Sequence, residues 1–330
     1  MQTTIIGSGS WGTALGILAA TNSHQVQLLT RKKEQAETLN KERLNTRYLP
    51  GVPLPDNLIA TTDSTTALPS AELVLFVTPT AHFRAMAESF RELIPKETVL
   101  LSCSKGIERG SGLRMSEVLN EIFPNNPVAV LSGPNHAEEI ALGLPACAVI
   151  GANEDELATK LQAQFATDTF RTYTSTDIAG IELGGAIKNV YALAAGIASG
   201  LKLGDNALAA LTTRSLAEMT RLGIALGGEP ETFAGLSGIG DLIATCFSSH
   251  SRNHQVGLAL AAGKTAAEAE AQLNMVAEGV PNTLSIYEKS RSINARTPLI
   301  DAVHAILYEN QPAPQVLHQL LTRDHRPETD

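Results

Sequence analysis

In the first half of the chain, short apolar runs alternate with stretches whose apolar positions recur every three or four residues. The runs predict strands at Thr3–Ile6, Gln25–Thr30, Leu73–Thr78, Thr98–Ser102, Val128–Leu131 and Ala146–Ile150, with a further one at Phe170–Tyr173. The stretches between predict helices starting near Trp11, Lys33, Phe83, Ser116 and Ala137. Strands alternating with helices read as βαβ units around a parallel sheet. Tyr48–Asn57, YLPGVPLPDN, is Pro-rich and breaks any helix. After Thr176 the strand-like runs stop and the helical period takes over. It predicts helices over Asp177–Gly200, Asn206–Leu226, Asn253–Ala262, Ala266–Met275, Pro281–Ser290, Pro298–Glu309 and Pro314–Leu321. Three of these begin at or near Pro, a residue suited to a first helical turn. Asp324–Asp330 read as a disordered end, and no internal repeat appears. The expected organisation is an α/β domain over residues 1–180 and an all-helical domain over 181–330.

Composition narrows the class. A length of 330 residues exceeds one ordinary core and suits two domains. A net charge of -9 disfavours nucleic acid, which needs clustered Lys and Arg. The N-terminus has no basic region ahead of its apolar run, so no signal peptide is expected. Cys103, Cys147 and Cys246 are odd in number and far apart, which points to a reducing cytoplasm rather than a disulfide framework. Leu183–Leu201 is 19 residues with one charge, but it is rich in Gly and Ala and carries Lys188 and Asn189 near its middle. Charge at a bilayer centre is costly, so a buried helix is expected and no membrane span.

The first candidate chemistry is GSGSWG, Gly7 to Gly12, which follows the first strand and opens an apolar helix. In a dinucleotide fold, Gly7 makes the tight turn, Gly9 lets the backbone approach a pyrophosphate, and Gly12 lets helix pack on strand. The helix N-terminus adds unpaired N–H groups and a positive dipole end. A glycine-rich turn without ligand is the competing reading, and the strands that follow favour the dinucleotide. The fold class is therefore α/β plus all-α: a Rossmann-type doubly wound sheet, then helices. The second strand ends in Thr30, Arg31, Lys32 and Lys33, where NAD-binding folds often place a carboxylate for the ribose. A cation there suits the extra phosphate of NADP. Arg31, nearest the strand end, is the expected contact.

Three further strand ends fall on the same edge of the predicted sheet. Thr78-Pro79 lines a nicotinamide path or makes a plain turn. Lys105, beside Gly106, contacts an anion or carbonyl, or is simply exposed. Gly133-Pro134-Asn135-His136 repeats the strand-to-helix geometry before Ala137, with His136 a general base or a helix-start residue.

Lys188 is the only charge between Glu182 and Lys202, and its helical neighbours include Gly184, Gly185 and Ala192. A Lys over so shallow a face leaves space for a small molecule or a close helix, and a buried Lys can serve proton transfer. The alternative is a Lys whose stem packs while its ammonium reaches water. Downstream, two glycines precede Asp241, Thr245 lies on the same helical face, and Ser251-Arg252-Asn253 meets a helix start. Hydroxyl, guanidinium, amide and helix N–H groups together make a phosphate cradle, although Ser251 could act only as an N-cap. Cys246 has no evident His partner and reads as a buried thiol. No metal site is expected.

Taken together and in order, GSGSWGTALG, FVTPTAHF, SCSKGIE, GPNHAEE, GAIKNVYALAAGI, LSGIGDLIATC and SSHSRN resemble bacterial NAD(P)-dependent glycerol-3-phosphate dehydrogenases, from residue 4 to about 280. The resemblance implies reversible reduction of dihydroxyacetone phosphate to sn-glycerol 3-phosphate with NADP(H) or NAD(H), feeding glycerophospholipid synthesis. It implies that Lys188 gives and takes the proton, with Asp241 beside it. Lys105, Asn189, Asp241, Thr245, Ser251, Arg252 and Asn253 would contact substrate, with Gly133 and Asn135 at its border. Ser10, Trp11, Arg31, Lys105, Ala137, Arg252, Val276 and Glu278 would line the cofactor. A cytoplasmic homodimer is the family expectation. The residues agree: reducing a ketone needs a hydride donor on one face and a proton source at the carbonyl oxygen, and an ammonium can supply the second. A β-hydroxyacid dehydrogenase also pairs a dinucleotide domain with a helix Lys, but Ser-Arg-Asn with Lys105 favours phosphate over carboxylate. A non-catalytic NADP-sensing protein would have no need of Lys188.

Overall fold

The computed structural model describes residues 1–23, 25–273, 277–325 and 327–328. Among the described residues the strands are β1 (Thr3–Ile6), β2 (Val26–Leu29), β3 (Leu44–Asn45), β4 (Leu49–Pro53), β5 (Leu58–Thr61), β6 (Leu73–Phe76), β7 (Val99–Ser102), β8 (Val128–Ser132), β9 (Ala146–Ala152) and β10 (Phe170–Ser175). The helices of the first half are α1 (Ser10–Asn22), α2 (Lys33–Glu42), α3 (Ser64–Ala67), α4 (Thr80–Ser89), α5 (Met115–Ile122), α6 (Ala137–Ala141) and α7 (Asp155–Phe165). Those of the second half are α8 (Ile178–Gly200), α9 (Asp205–Ala225), α10 (Pro230–Phe233), α11 (Asp241–Phe247), α12 (Arg252–Ala261), α13 (Ala266–Leu273), α14 (Gly279–Ser292), α15 (Pro298–Tyr308) and α16 (Ala313–Leu321).

Eight strands form one sheet in the order β10-β9-β8-β7-β6-β1-β2-β5. The chain steps outward from β1 through β2 to β5, then returns to β6 on the other side of β1 and continues through β7 to β8. That reversal is the doubly wound, Rossmann-type order, and ligands sit in the crevice where it occurs, between β1 and β6. Strands covered on both faces read as continuous apolar runs. Ile5, Leu73 and Leu75 pack on one side, while Ile6, Val74 and Phe76 pack on the other.

Three features of this half differ from the pattern reading. β9 runs antiparallel to β8, because α6 spans only five residues and cannot return the chain along the sheet as a crossover helix would. β4 lies inside the Pro-rich segment and pairs with β3 as a two-stranded ribbon, where Pro is tolerated at an edge. β5 and α7 were not predicted. α7 buries Ala158, Leu161 and Phe165, a helical stripe at i, i+3 and i+7.

The second half is helical, as expected, and wraps α8, which has 18 residues buried on every side, from Gly180 to Ala198. Close approach explains its small residues. A Cβ on Gly184 would lie 2.4 Å from the Ser237 carbonyl oxygen, and one on Gly196 would lie 2.1 Å from that of His254. The shallow face around Lys188 thus admits backbone. Residues Leu236–Gly240 form one π-turn running straight into α11. No helix among the described residues is long and apolar enough to cross a membrane. Asp324, His325, Pro327 and Glu328 carry neither helix nor strand, yet Glu328 pairs with Arg214 at 3.2 Å. The other residues of that end lie outside the described set.

Candidate active site

The three glycines after β1 divide into two kinds. A Cβ on Gly7 would lie 2.3 Å from the Val77 carbonyl oxygen, and one on Gly12 would lie 1.8 Å from that of Gly7. These two permit the turn and the strand-to-helix contact. A Cβ on Gly9 would meet nothing within 4 Å, so this position opens onto space. Gly9 is also the N-cap of α1 and makes no side-chain cap bond, leaving first-turn N–H groups for an anion. The loop is braced from outside: Ser10 Oγ donates to the Tyr48 carbonyl at 2.7 Å, Asn45 Nδ2 to the Ser8 carbonyl at 3.1 Å, and Trp11 Nε1 to the Cys103 carbonyl at 3.1 Å.

Above this loop lies a cleft of about 690 Å³ between the sheet edge and the helical half, a size usual for cofactor sites. Gly7, Gly9, Ser10, Trp11, Gly12, Arg31, Lys105, Asn135, Ala137, Lys188, Asn189, Thr245, Ser251, Arg252, Asn253 and Glu278 all line it. Thr78, Pro79, Thr30, Arg31 and Tyr48 also line it, and among the described residues no carboxylate at the end of β2 does. Arg31 is exposed. Open backbone at Gly9 and a cation in place of the ribose carboxylate fit a dinucleotide, including one with an extra phosphate. Val276 lies outside the described residues. A second cavity of about 660 Å³, between α8, α9, α15 and α16, is lined mainly by Ala and Leu and gathers no lysine.

At the inner end of the cleft, two lysines share one carboxylate. Lys188 Nζ, from α8, donates to Asp241 Oδ1 at 2.6 Å and to Thr245 Oγ1 at 2.6 Å. Lys105 Nζ, from the loop after β7, donates to Asp241 Oδ2 at 2.7 Å, Asn135 Oδ1 at 2.6 Å and the Gly133 carbonyl at 2.9 Å. Thr245, one turn after Asp241, returns its hydroxyl to the Asp241 carbonyl at 2.7 Å. The π-turn packed on Gly184 is what brings Asp241 opposite Lys188. Asp241 is 1% exposed. Burial alone would raise its carboxyl, but the two ammoniums outweigh that and hold it below its usual range. Burial pushes the Lys105 ammonium down to about 8, with Asp241 opposing. His136 also faces this region, its Nε2 at 3.2 Å from the Ala244 carbonyl, and burial lowers its pKa. Cys246 is pushed up to about 12 by burial and is no nucleophile.

Behind the lysines runs a chain of amides. The Gly279 N–H donates to Asn253 Oδ1 at 2.9 Å, Asn253 Nδ2 to Asn189 Oδ1 at 2.9 Å, and Asn189 Nδ2 to the Lys105 carbonyl at 3.4 Å. Asn282 Nδ2 reaches the same carbonyl at 3.1 Å. The Asn253 side chain is therefore engaged at both ends, and what it offers the cleft is its backbone N–H in the first turn of α12. Ser251 caps that turn, accepting from the His254 N–H at 3.2 Å, the N-cap role that the sequence offered as the alternative. Glu278, raised by burial, accepts from Thr80 Oγ1 at 2.7 Å and ties α4 to the start of α14.

The sequence reading missed Asn282, Tyr48 and the Thr80 partnership. Asn282 sits one turn beyond Glu278, in the first turn of α14. Among the described residues, no three His, Cys, Asp or Glu side chains are grouped to hold a metal ion.

A Rossmann-type domain opening onto a helical domain, with paired lysines in the cleft between, defines the architecture. Residues 2–158 match the family description "NAD-dependent glycerol-3-phosphate dehydrogenase N-terminus" and residues 177–318 match its C-terminus. The chain belongs to this family. It is 42% identical to a glycerol-3-phosphate dehydrogenase [NAD(P)+] of Chlorobium luteolum, covering 100% of both chains. It is also 42% identical to that of Carboxydothermus hydrogenoformans, over 99% of this chain and 98% of that one. The crystal structure of the Coxiella burnetii glycerol-3-phosphate dehydrogenase superposes with a TM-score of 0.94 at 37% identity, over 98% of this chain and 99% of that one.

Proposed function

We propose that the protein catalyses the reversible reduction of dihydroxyacetone phosphate to sn-glycerol 3-phosphate, with NADPH or NADH. The observation that carries this is the buried Asp241 shared by Lys105 and Lys188, at the inner end of the cleft onto which the Gly9 loop opens.

Gly9, Ser10 and Trp11 would hold the pyrophosphate at the α1 N-terminus. Arg31 would meet the adenosine end, and Gly7 and Gly12 shape the turn. Thr78, Pro79, Lys105, Ala137, Arg252 and Glu278 would border the nicotinamide. When bound, the cofactor supplies a hydride.

Lys188 delivers the proton to the substrate carbonyl oxygen and stabilises its developing charge. Asp241 aims both ammoniums, and Thr245 fixes the Lys188 head. Lys105 holds the substrate from the opposite side, supported by Gly133, Asn135 and Asn189. The substrate phosphate, with between one and two negative charges, rests on Arg252, Ser251 and the first-turn N–H groups of α12, Asn253 included. Binding energy from this non-reacting group orients the reacting carbon.

In this reading residues 1–180 are the cofactor domain and 181–330 the substrate domain of a cytoplasmic homodimer supplying glycerophospholipid synthesis. Family membership supports these wider assignments. The reaction itself is tested by NADPH oxidation with dihydroxyacetone phosphate, unphosphorylated dihydroxyacetone and a β-keto acid in parallel. Preference for the phosphorylated ketone is expected. Preference for the keto acid would return the protein to the β-hydroxyacid class.

A further inference from the structure

One face of α8 receives both ends of the loop that begins at Lys105. Glu182, Gly185 and Asn189 stand at i, i+3 and i+7, so they share that face. Asn189 holds the Lys105 carbonyl at 3.4 Å. The Lys105 stem passes Gly185: a Cβ there would lie 3.4 Å from Lys105 Cγ, an ordinary contact, and 2.6 Å from Ser132 Oγ, which is the approach that needs glycine. Glu182 holds the loop's far end. Its carboxylate accepts from the Ser116 N–H at 2.9 Å, from Arg114 Nη1 at 3.1 Å, and from the Ser116 hydroxyl.

The loop between these anchors is closed on itself. Ile107 and Arg114 form an antiparallel bridge, and the Glu108 N–H donates to the Leu113 carbonyl at 2.9 Å. Arg84 grips Glu108 with two bonds of 2.8 and 2.9 Å. The bridge sets Arg114, which Glu117 also holds at 2.8 Å, beside Ile107, two residues from Lys105. Glu182 itself is 7% exposed. Burial raises its carboxyl and Arg114 opposes that. Apolar side chains could join α5 to α8 without this desolvation. A buried charge here does something they cannot: it fixes the direction of the contact.

We propose that Glu182 is a positioning residue for the reaction, fixing Arg114 and Ser116 so that Lys105 Nζ stays on Asp241 beside Lys188. The proposal rests on the role given to Lys105 above. It makes α8 the common ruler for both lysines, since Lys188 is carried on the helix and Lys105 is docked along it.

The test is a double-mutant cycle in the full-length protein, with Glu182→Gln and Lys105→Met made singly and together. Glu182→Gln keeps the volume and an acceptor for the Ser116 N–H but removes the charge facing Arg114. It is expected to lower kcat for dihydroxyacetone phosphate by about tenfold, the scale of one charge-assisted hydrogen bond, with NADPH affinity unchanged. In the Lys105→Met background the same change should cost less than about twofold, because coupled residues are not additive. Ser116→Ala, which alters no charge, should show a smaller loss with the same coupling and serves if Glu182→Gln folds poorly. Equal losses from Glu182→Gln in both backgrounds, or no loss in either, would overturn the proposal. If Lys105→Met alone leaves turnover intact, the role of Lys105 is refuted first and the proposal falls with it.

Discussion

Asp241→Asn is the most informative perturbation, because one carboxylate neutralises two ammoniums. The side chain is 1% exposed, and its contacts of 2.6 and 2.7 Å occupy both oxygens. The amide preserves shape and removes the charge. Removing one partner of a buried pair costs about 3–5 kcal/mol, and here two cations are left facing each other. Lys105, already at about 8, is held that high by Asp241 against burial and the Lys188 ammonium. With the carboxylate gone both remaining influences push it lower, so Lys105 loses its proton more readily near neutrality. Loss of a cation at the carbonyl removes a contribution of roughly 10²–10⁴ in rate. Steady-state kinetics with dihydroxyacetone phosphate should therefore show kcat/KM lower by at least ~10²-fold at neutral pH. The mutant should regain part of this loss as pH falls and Lys105 recharges, whereas the wild type should not. Thermal denaturation should shift downward, and NADPH titration should be nearly unchanged. Near-wild-type turnover at neutral pH would refute the role of Asp241 in holding Lys105 charged and both lysines in place.

Arg252→Ala should raise KM for dihydroxyacetone phosphate roughly 10- to 100-fold, the loss of a hydrogen bond between charged groups, with a much smaller effect on unphosphorylated dihydroxyacetone; equal effects would remove Arg252 as the phosphate anchor. Arg31→Glu should weaken NADPH relative to NADH in parallel titrations, by less than the about 1.5–3 kcal/mol of a buried charged contact, because Arg31 is exposed and screened. Wild-type kcat/KM should fall as pH rises through about 8, where the Lys105 ammonium deprotonates. Stability should move the other way. Between about 8 and the ordinary 10.5 of an unfolded lysine, the folded protein binds fewer protons, so this group's contribution grows with pH. Denaturation midpoints and rates measured over the same pH series check both signs.

Local features were legible in the sequence and distant partnerships were not. Gly7, Gly9 and Gly12 could be read because their spacing and the strand before them fall within a dozen residues. Lys188 stood out because it is the one charge between Glu182 and Lys202, on a face of very small residues. Its partner was narrowed to Asp241 only through a family resemblance, since 53 residues and a π-turn separate them. The Asn282 contact, across 177 residues, left no pattern, because one Asn on a helix looks like any solvated position. Glu182 was hidden likewise: its partners Arg114 and Ser116 lie on another element, and only the fold makes them neighbours. In the sheet, β4 was masked by its own prolines, and β9 reversed direction for want of a long crossover helix.

The central claim is that Lys188 protonates a phosphorylated ketone beside a bound nicotinamide cofactor. It is tested most directly by NADPH oxidation with dihydroxyacetone phosphate, comparing the wild type with Lys188→Ala at matched cofactor saturation. The account predicts sustained turnover in the wild type, kcat at least ~10²-fold lower in the mutant, and equal NADPH affinity in both. Equal turnover in the two proteins, or NADPH binding without turnover in either, would contradict it.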